Sequence, residues 1–201
     1  MTLPVIIVLA VLAAIAIIAI TSSQNKSSGS GSGGGGDRQQ YPPDSTAILF
    51  DLRIGDVVQY FDEDWIVEGK MTYNDDGFVW MEYLLQLGDR AIWLSVEEDD
   101  YLETCMLDPV KDLDISGEPP KQLTYQGNEY RLEEASEANM TRLTSTGQRT
   151  SEKCKYYDYE GPDGLVLSIE DWGGQREISA GKSVPPRSLT ILPGDGQSVY
   201  R

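Results

Sequence analysis

The chain has 201 residues, with 33 Asp and Glu against 16 Lys and Arg and a formal net charge of −17. That balance repels nucleic-acid phosphates and anionic lipid headgroups, and it leaves no basic footprint with which to bind nucleic acid. Histidine is absent, which removes Ser-His-Asp and Cys-His catalysis and leaves a zinc site only carboxylates and two lone thiols, Cys105 and Cys154.

The first element is apolar. From Leu3 to Ile20 no side chain is charged or polar. A helix of that length spans about 27 Å at 1.5 Å per residue, close to the roughly 30 Å hydrocarbon core of a bilayer. Residues 1–21 are therefore expected to form a single transmembrane helix, with Pro4 tolerated in its first turn. No Lys or Arg precedes the run, and it is longer than the apolar region of a signal peptide. Lys26 and Arg38 follow it. The positive-inside bias then places the remainder in the cytoplasm of a bacterial cell, on a single-pass inner-membrane anchor. Residues 22–47, rich in Gly and Ser, read as a flexible linker with an r.m.s. reach of roughly 30 Å.

A first β-unit is expected over residues 48–110. Trp65, Val67, Met71 and Tyr73 alternate with Glu68, Lys70 and Thr72, the period-two pattern of a strand with one buried face. Asn74-Asp75-Asp76-Gly77 is a hairpin turn, because these residues tolerate positive φ. In the following strand Val79, Met81, Tyr83, Leu85 and Leu87 form one face, and Phe78, Trp80, Glu82, Leu84 and Gln86 a mixed one. Gly88-Asp89 turns the chain into another strand, Ala91 to Val96. A connector over 111–122 lies between Pro109 and Pro120, and a second β-unit spans 123–192 before a tail over 193–201.

The second unit repeats the first. Tyr60 and Trp65 are spaced as Tyr125 and Tyr130 are; Trp80-Met81-Glu82-Tyr83 matches Tyr156-Tyr157-Asp158-Tyr159; Leu94 to Glu98 matches Leu167 to Asp171. Arg131 to Met140 has helical propensity, but its alignment with the first unit makes it a strand. The expected fold class is all-β, a tandem duplicated antiparallel meander built as two small barrels or one fused sandwich, with an N-terminal transmembrane helix.

These motifs carry a resemblance. Ile54 to Tyr60, Trp65 to Gly69, Trp80 to Leu85, Trp93 to Asp99, Leu167 to Trp172 and Ser179 to Gly181 together resemble a bacterial family known as domain of unknown function 4178. The resemblance covers most of Ile48 to Leu192. It implies no catalytic residues; members of that family look membrane-associated and occur near membrane-stress, channel-like and polyamine-synthase-like proteins.

No catalytic, cofactor-binding or metal-binding residues are expected. Asp62-Glu63-Asp64 and Glu97 to Asp100 are the densest acidic groups, and carboxylate pairs can serve acid–base chemistry. Asp112 to Gly117 copies the opening of a calcium loop, but Leu123 stands where a bidentate Glu is required. Cys105 and Cys154 stay reduced in a cytoplasmic domain and could pair outside the cell. The candidate ligand or partner face is aromatic and acidic: Trp80, Tyr83, Trp93, Glu97 and Glu98, echoed by Tyr156, Tyr159, Glu170 and Trp172. Carboxylates beside aromatic faces suit organic cations, since both attract positive charge. The leading expectation is a membrane-anchored interaction or adaptor module with a protein partner. The alternatives are a sensor for a polyamine or basic partner, and a carboxylate-based enzyme. Acids converging in a pocket favour the alternatives; acids spread over an open face favour the adaptor.

Overall fold

The structure, a computed structural model, describes residues 45–144 and 149–194. The expected transmembrane helix, most of the linker and the end of the tail lie outside these residues. Among the described residues no helix is long and apolar enough to cross a membrane.

A short helix, α1 (Ser45–Phe50), leads into the first half: β1 (Val57–Tyr60), β2 (Glu63–Asp75), β3 (Phe78–Leu87), β4 (Arg90–Glu98) and β5 (Leu102–Pro109). The second half runs β6 (Gln122–Tyr125), β7 (Asn128–Thr144), β8 (Arg149–Glu160), β9 (Leu165–Asp171) and β10 (Arg176–Ser183), and β11 (Leu189–Leu192) returns to pair with β1. Every hairpin is antiparallel. At the β2–β3 turn Asp76 and Gly77 take φ of 48° and 108°, as a two-residue primed turn demands, and Asn74 Oδ1 accepts the Gly77 amide at 3.0 Å. The stretch of helical propensity in β7 is a strand, because pairing on both sides outweighs local preference.

Two separate small barrels or a sandwich are not what forms. The eleven strands make one sheet, and β2 also pairs with β7, closing β2, β3, β4, β5, β10, β9, β8 and β7 into a ring. The physical reason is the sheet edge: each half-meander would otherwise expose β2 and β5, or β7 and β10, as unpaired strands. Each of these pairs with its counterpart in the other half. At the β2–β7 seam Asn74 lies opposite Asn139, residues as far apart in sequence as Trp65 and Tyr130. At the β5–β10 seam Leu107 faces Gly181. A Cβ on Gly181 would collide with the Met106 carbonyl, so the closeness of this seam requires glycine.

The expected single buried face of β2 is divided in two. A bulge between Val67 and Gly69 flips the alternation. Before it, Trp65 and Val67 join an outward-facing core with Tyr83, Leu85, Leu94 and Val96, covered by Leu49 and Leu52 from α1 and the loop after it. After it, Met71 and Tyr73 face the inside of the ring with Trp80, Met140, Cys154 and Tyr156. The second half bulges at the corresponding place, between Leu132 and Glu134. Its outward core of Tyr130, Tyr159, Leu167 and Ile169 is covered by the connector through Leu113 and Ile115. The molecule thus has an outward core on each half and an inner one between them.

Candidate functional site: the acidic inner face of the ring

Strand parity decides which acids meet inside the ring. On β3 the outward Tyr83 and Leu85 alternate with inward Trp80 and Glu82; on β4 the outward Leu94 and Val96 alternate with inward Trp93 and Glu97. The duplicated half places Tyr156 and Asp158 of β8 and Glu170 of β9 at inward positions too. The register sets Glu82 opposite Ser95, Asp158 opposite Ser168 and Glu170 opposite Tyr156. Four carboxylates therefore enter one space as two repeat-related pairs, Glu82 with Asp158 and Glu97 with Glu170, and Glu103, Glu177 and Glu134 stand opposite Glu97, Glu170 and Asp158 on the neighbouring strands.

Aromatic rings form the floor beside them. Tyr73 stacks on Trp80 at 4.8 Å between centroids, and Tyr156 meets the same indole edge-on at 5.1 Å. Trp172 lies 6.4 Å from Tyr73, and the Arg142 guanidinium stands 5.8 Å from the Trp172 ring. The Tyr73 hydroxyl lies 3.4 Å from Glu82 Oε2 and also bonds Glu170, so one phenol bridges acids of both halves. The Tyr156 hydroxyl lies 3.0 Å from Asp75 Oδ2 and 2.9 Å from Glu134 Oε1.

Enclosure with few counter-charges makes these acids weak. Burial, then the charges of Glu170 and Asp158, holds Glu82 well above the carboxylate range. Glu170, only 9% exposed, is pushed up to about 7 by burial, against the pull of its Tyr73 bond and of Arg142. Burial first, and Glu103 and Asp158 next, raise Glu97 to about 7. Asp158 rises to about 6 through burial, opposed by a hydrogen bond with Ser168. The thiols share this environment. Cys105 and Cys154 are both free, and burial lifts Cys105 to about 12 and raises Cys154 as well, so neither is a ready nucleophile.

A recess of about 510 Å³ opens onto this chemistry, lined in part by Glu82, Glu170, Glu177, Trp93 and Leu84, with Lys111 and Asp114 of the connector and Arg176 also on its walls. A second recess of about 480 Å³ shares Leu84, Trp93 and Glu177 and reaches Arg142. A third, of about 570 Å³, lies on the outward side among Lys155, Tyr157 and Asp171. Several of its charges are paired: Arg176 Nε sits 2.9 Å from Asp171 Oδ2 and Lys153 Nζ 2.6 Å from Glu137 Oε1. It contains none of the four inward acids. Among the described residues no group of three or more Cys, Asp and Glu is arranged to hold a metal ion.

Of the candidate residues read from sequence, Trp80, Trp93, Glu97, Tyr156, Glu170 and Trp172 come together around the inner face. Tyr83 and Tyr159 do not; each is buried in the outward core of its own half. Glu98 is exposed. Sequence reading missed Glu82, Asp158 and Tyr73. The signal for the first two was present: both occupy the third position of the matched Trp80–Tyr83 and Tyr156–Tyr159 motifs, two residues from an inward aromatic. The bulge hid Tyr73.

The family model described as "Domain of unknown function (DUF4178)" matches residues 53–186, from the loop before β1 to the end of the ring. The chain belongs to this family. It is similar to uncharacterized proteins of Mycobacterium bovis and Mycobacterium tuberculosis, each 35% identical over 147 residues that cover 69% of this chain and 70% of the relative. An uncharacterized protein of Aquifex aeolicus is 26% identical over 138 residues, covering 65% of this chain and 75% of its own. No solved structure matches it. The matched DUF4178 segment contains all four inward carboxylates and the aromatic floor beside them.

Proposed function

We propose that this DUF4178 domain is a membrane-tethered receptor for organic cations, which enter the acid-lined recess and lie against its aromatic walls. One observation carries the reading: Glu82, Glu97, Asp158 and Glu170 converge on one enclosed face with few cations beside them, since Arg142 bears on Glu170, Arg131 stands exposed opposite Glu160, and of the recess cations Lys111 is exposed and Arg176 is paired with Asp171. Carboxylates drawn from water without counter-charge are unfavourable, and a bound ammonium group supplies that charge. Trp93 on the wall of the recess adds the attraction of a ring quadrupole. Glu82 and Glu170 lining one recess support the cation-binding alternative over an adaptor with an open acidic face. The tether rests on the apolar residues 3–20, which suit a membrane span, and on Lys26 and Arg38, which favour a cytoplasmic domain.

Calorimetric titration of the full chain in nonionic detergent with spermidine, at low salt and pH 8, tests the receptor. Saturable binding that falls at least tenfold in Glu82→Gln/Glu170→Gln supports it; no heat with spermidine or with a basic peptide rejects it. Membrane anchoring is tested separately, by whether the chain stays with vesicles after a carbonate wash.

A further inference from the structure

We propose that ionisation of the four inward carboxylates parts the two halves of the ring at the β2–β7 seam, making the domain a proton-controlled latch. Glu82 and Glu97 come from the first half, Asp158 and Glu170 from the second, so the repulsion of Glu82 by Glu170 and Asp158, and of Glu97 by Asp158, acts between the halves. Inside each half, successive ring strands are held by continuous antiparallel ladders. Within the ring the halves meet at β2–β7 and β5–β10, while β11 pairs with β1 at the outer edge of the first half. The β5–β10 seam is reinforced at both ends. The Val110 amide donates to the Ile178 carbonyl at 2.7 Å, and both the amide–carbonyl contact Val184–Thr104 (2.8 Å) and the Thr104 hydroxyl bond to the Val184 carbonyl (2.7 Å) lie at the other. At β2–β7, where Gly69 to Asn74 face Asn139 to Thr144, the side-chain ties are Tyr156 to Asp75 and Arg142 to Met71, which lie on the acid-lined face itself, so added charge acts directly on this seam.

The charges facing these acids from neighbouring strands are nearly all of the same sign. Glu177 of β10 bears on Glu82 and Glu170; Glu134 of β7 bears on Glu97 and Asp158; Glu103 of β5 and Asp99 bear on Glu97. Tyr73 of β2 bridges Glu82 and Glu170, and the thiols of Cys105 and Cys154 stay neutral beside them. Arg142 acts on Glu170, and it belongs to β7, the strand that would leave. A proton on each acid lets Tyr73 bridge neutral groups. Loss of those protons leaves several like charges with Arg142 as the cation bearing on Glu170.

The direction follows from linkage. An acid whose value is higher in the closed ring than in the open one holds its proton more tightly when closed. It favours closure below about pH 4.5, and that contribution is lost as the pH climbs through about 7. A single carboxyl displaced from 4.5 to about 7 shifts the opening equilibrium roughly 25-fold between pH 5.5 and 8. The latch concerns the unliganded ring and stands whether or not a cation binds.

Amide hydrogen exchange of the full chain in nonionic detergent, without polyamine, tests it at pH 5.5 and pH 8 after correction for intrinsic exchange. Protection at Gly69–Asn74 and Asn139–Thr144 is expected to fall at least tenfold, while the β3–β4 hairpin changes less than threefold. Glu97→Gln/Glu170→Gln is expected to remove most of that difference. Equal protection at both pH values, loss shared equally by the hairpin, or loss confined to β5–β10 overturns the proposal. Should the variant not fold, the wild-type series decides alone.

Discussion

The two halves share a five-strand plan, yet each covers its outward core differently. Above the first lie α1 and its following loop, which insert Leu49 and Leu52, both 1% exposed. Above the second lies the proline-bounded connector, which offers Leu113 and Ile115 as partly buried contacts. The matched tyrosines show the contrast at atomic scale. Tyr159 donates its hydroxyl to the Pro120 carbonyl at 2.8 Å, tying the connector down. Tyr83 turns its hydroxyl toward the Leu52 backbone but makes no direct hydrogen bond there. A cover that buries large apolar side chains is held by the hydrophobic effect; one that buries little needs directed polar anchors. Arg176 is another such anchor, bonding Asp171 and donating to the Ile115 carbonyl at 2.7 Å.

Six substitutions bear on that contrast, the largest effect first. Trp65→Ala empties the centre of the first half and is expected to cost about 4 kcal/mol. Because both seams join the halves, its thermal melt should stay a single transition by far- and near-ultraviolet circular dichroism; two separate transitions would show the halves to be independent. Gly181→Ala forces β10 away from the Met106 carbonyl and should cost about 3 kcal/mol. Gly69→Ala at the other seam meets only Leu84 Cβ at 3.2 Å and should cost less than about 1 kcal/mol, both read by denaturant titration. Tyr159→Phe removes its bond to the Pro120 carbonyl, an expected loss of about 1 kcal/mol, whereas Tyr83→Phe should be neutral or slightly stabilising. Equal losses at the two tyrosines would erase the contrast. Arg176→Gln should lower stability by about 1 kcal/mol and make the connector more open to limited proteolysis than α1.

Much of this fold was legible in the sequence. Alternation identified β3, the Asn74–Gly77 turn marked its hairpin, and the repeat of Trp65-to-Glu98 motifs required β7 to be a strand despite residues that favour helix. Two things were hidden. Ring closure depends on which edges meet, and edge pairing is a long-range contact with no local signature. The bulges were hidden for a different reason: Trp65, Val67, Met71 and Tyr73 keep their odd numbering across Glu68, so the pattern looks continuous while the strand changes sides. The same property explains the partial success with the site. Trp80, Trp93, Glu97, Tyr156, Glu170 and Trp172 were found by composition; Tyr83 and Tyr159 looked equivalent to them, although their parity sends them to the opposite face.

The antiparallel meeting of each seam strand with its own counterpart, and of Asn74 with Asn139, has the isologous geometry of a two-fold homodimer. A single half-length subunit would leave its acid-bearing side bare and could satisfy it only by docking on a sister molecule. Fusing two such subunits into one polypeptide frees each copy to vary. Here one half carries a helical roof and the other a proline-bounded strap over its outward core, while both halves place carboxylates at corresponding positions of the chamber between them.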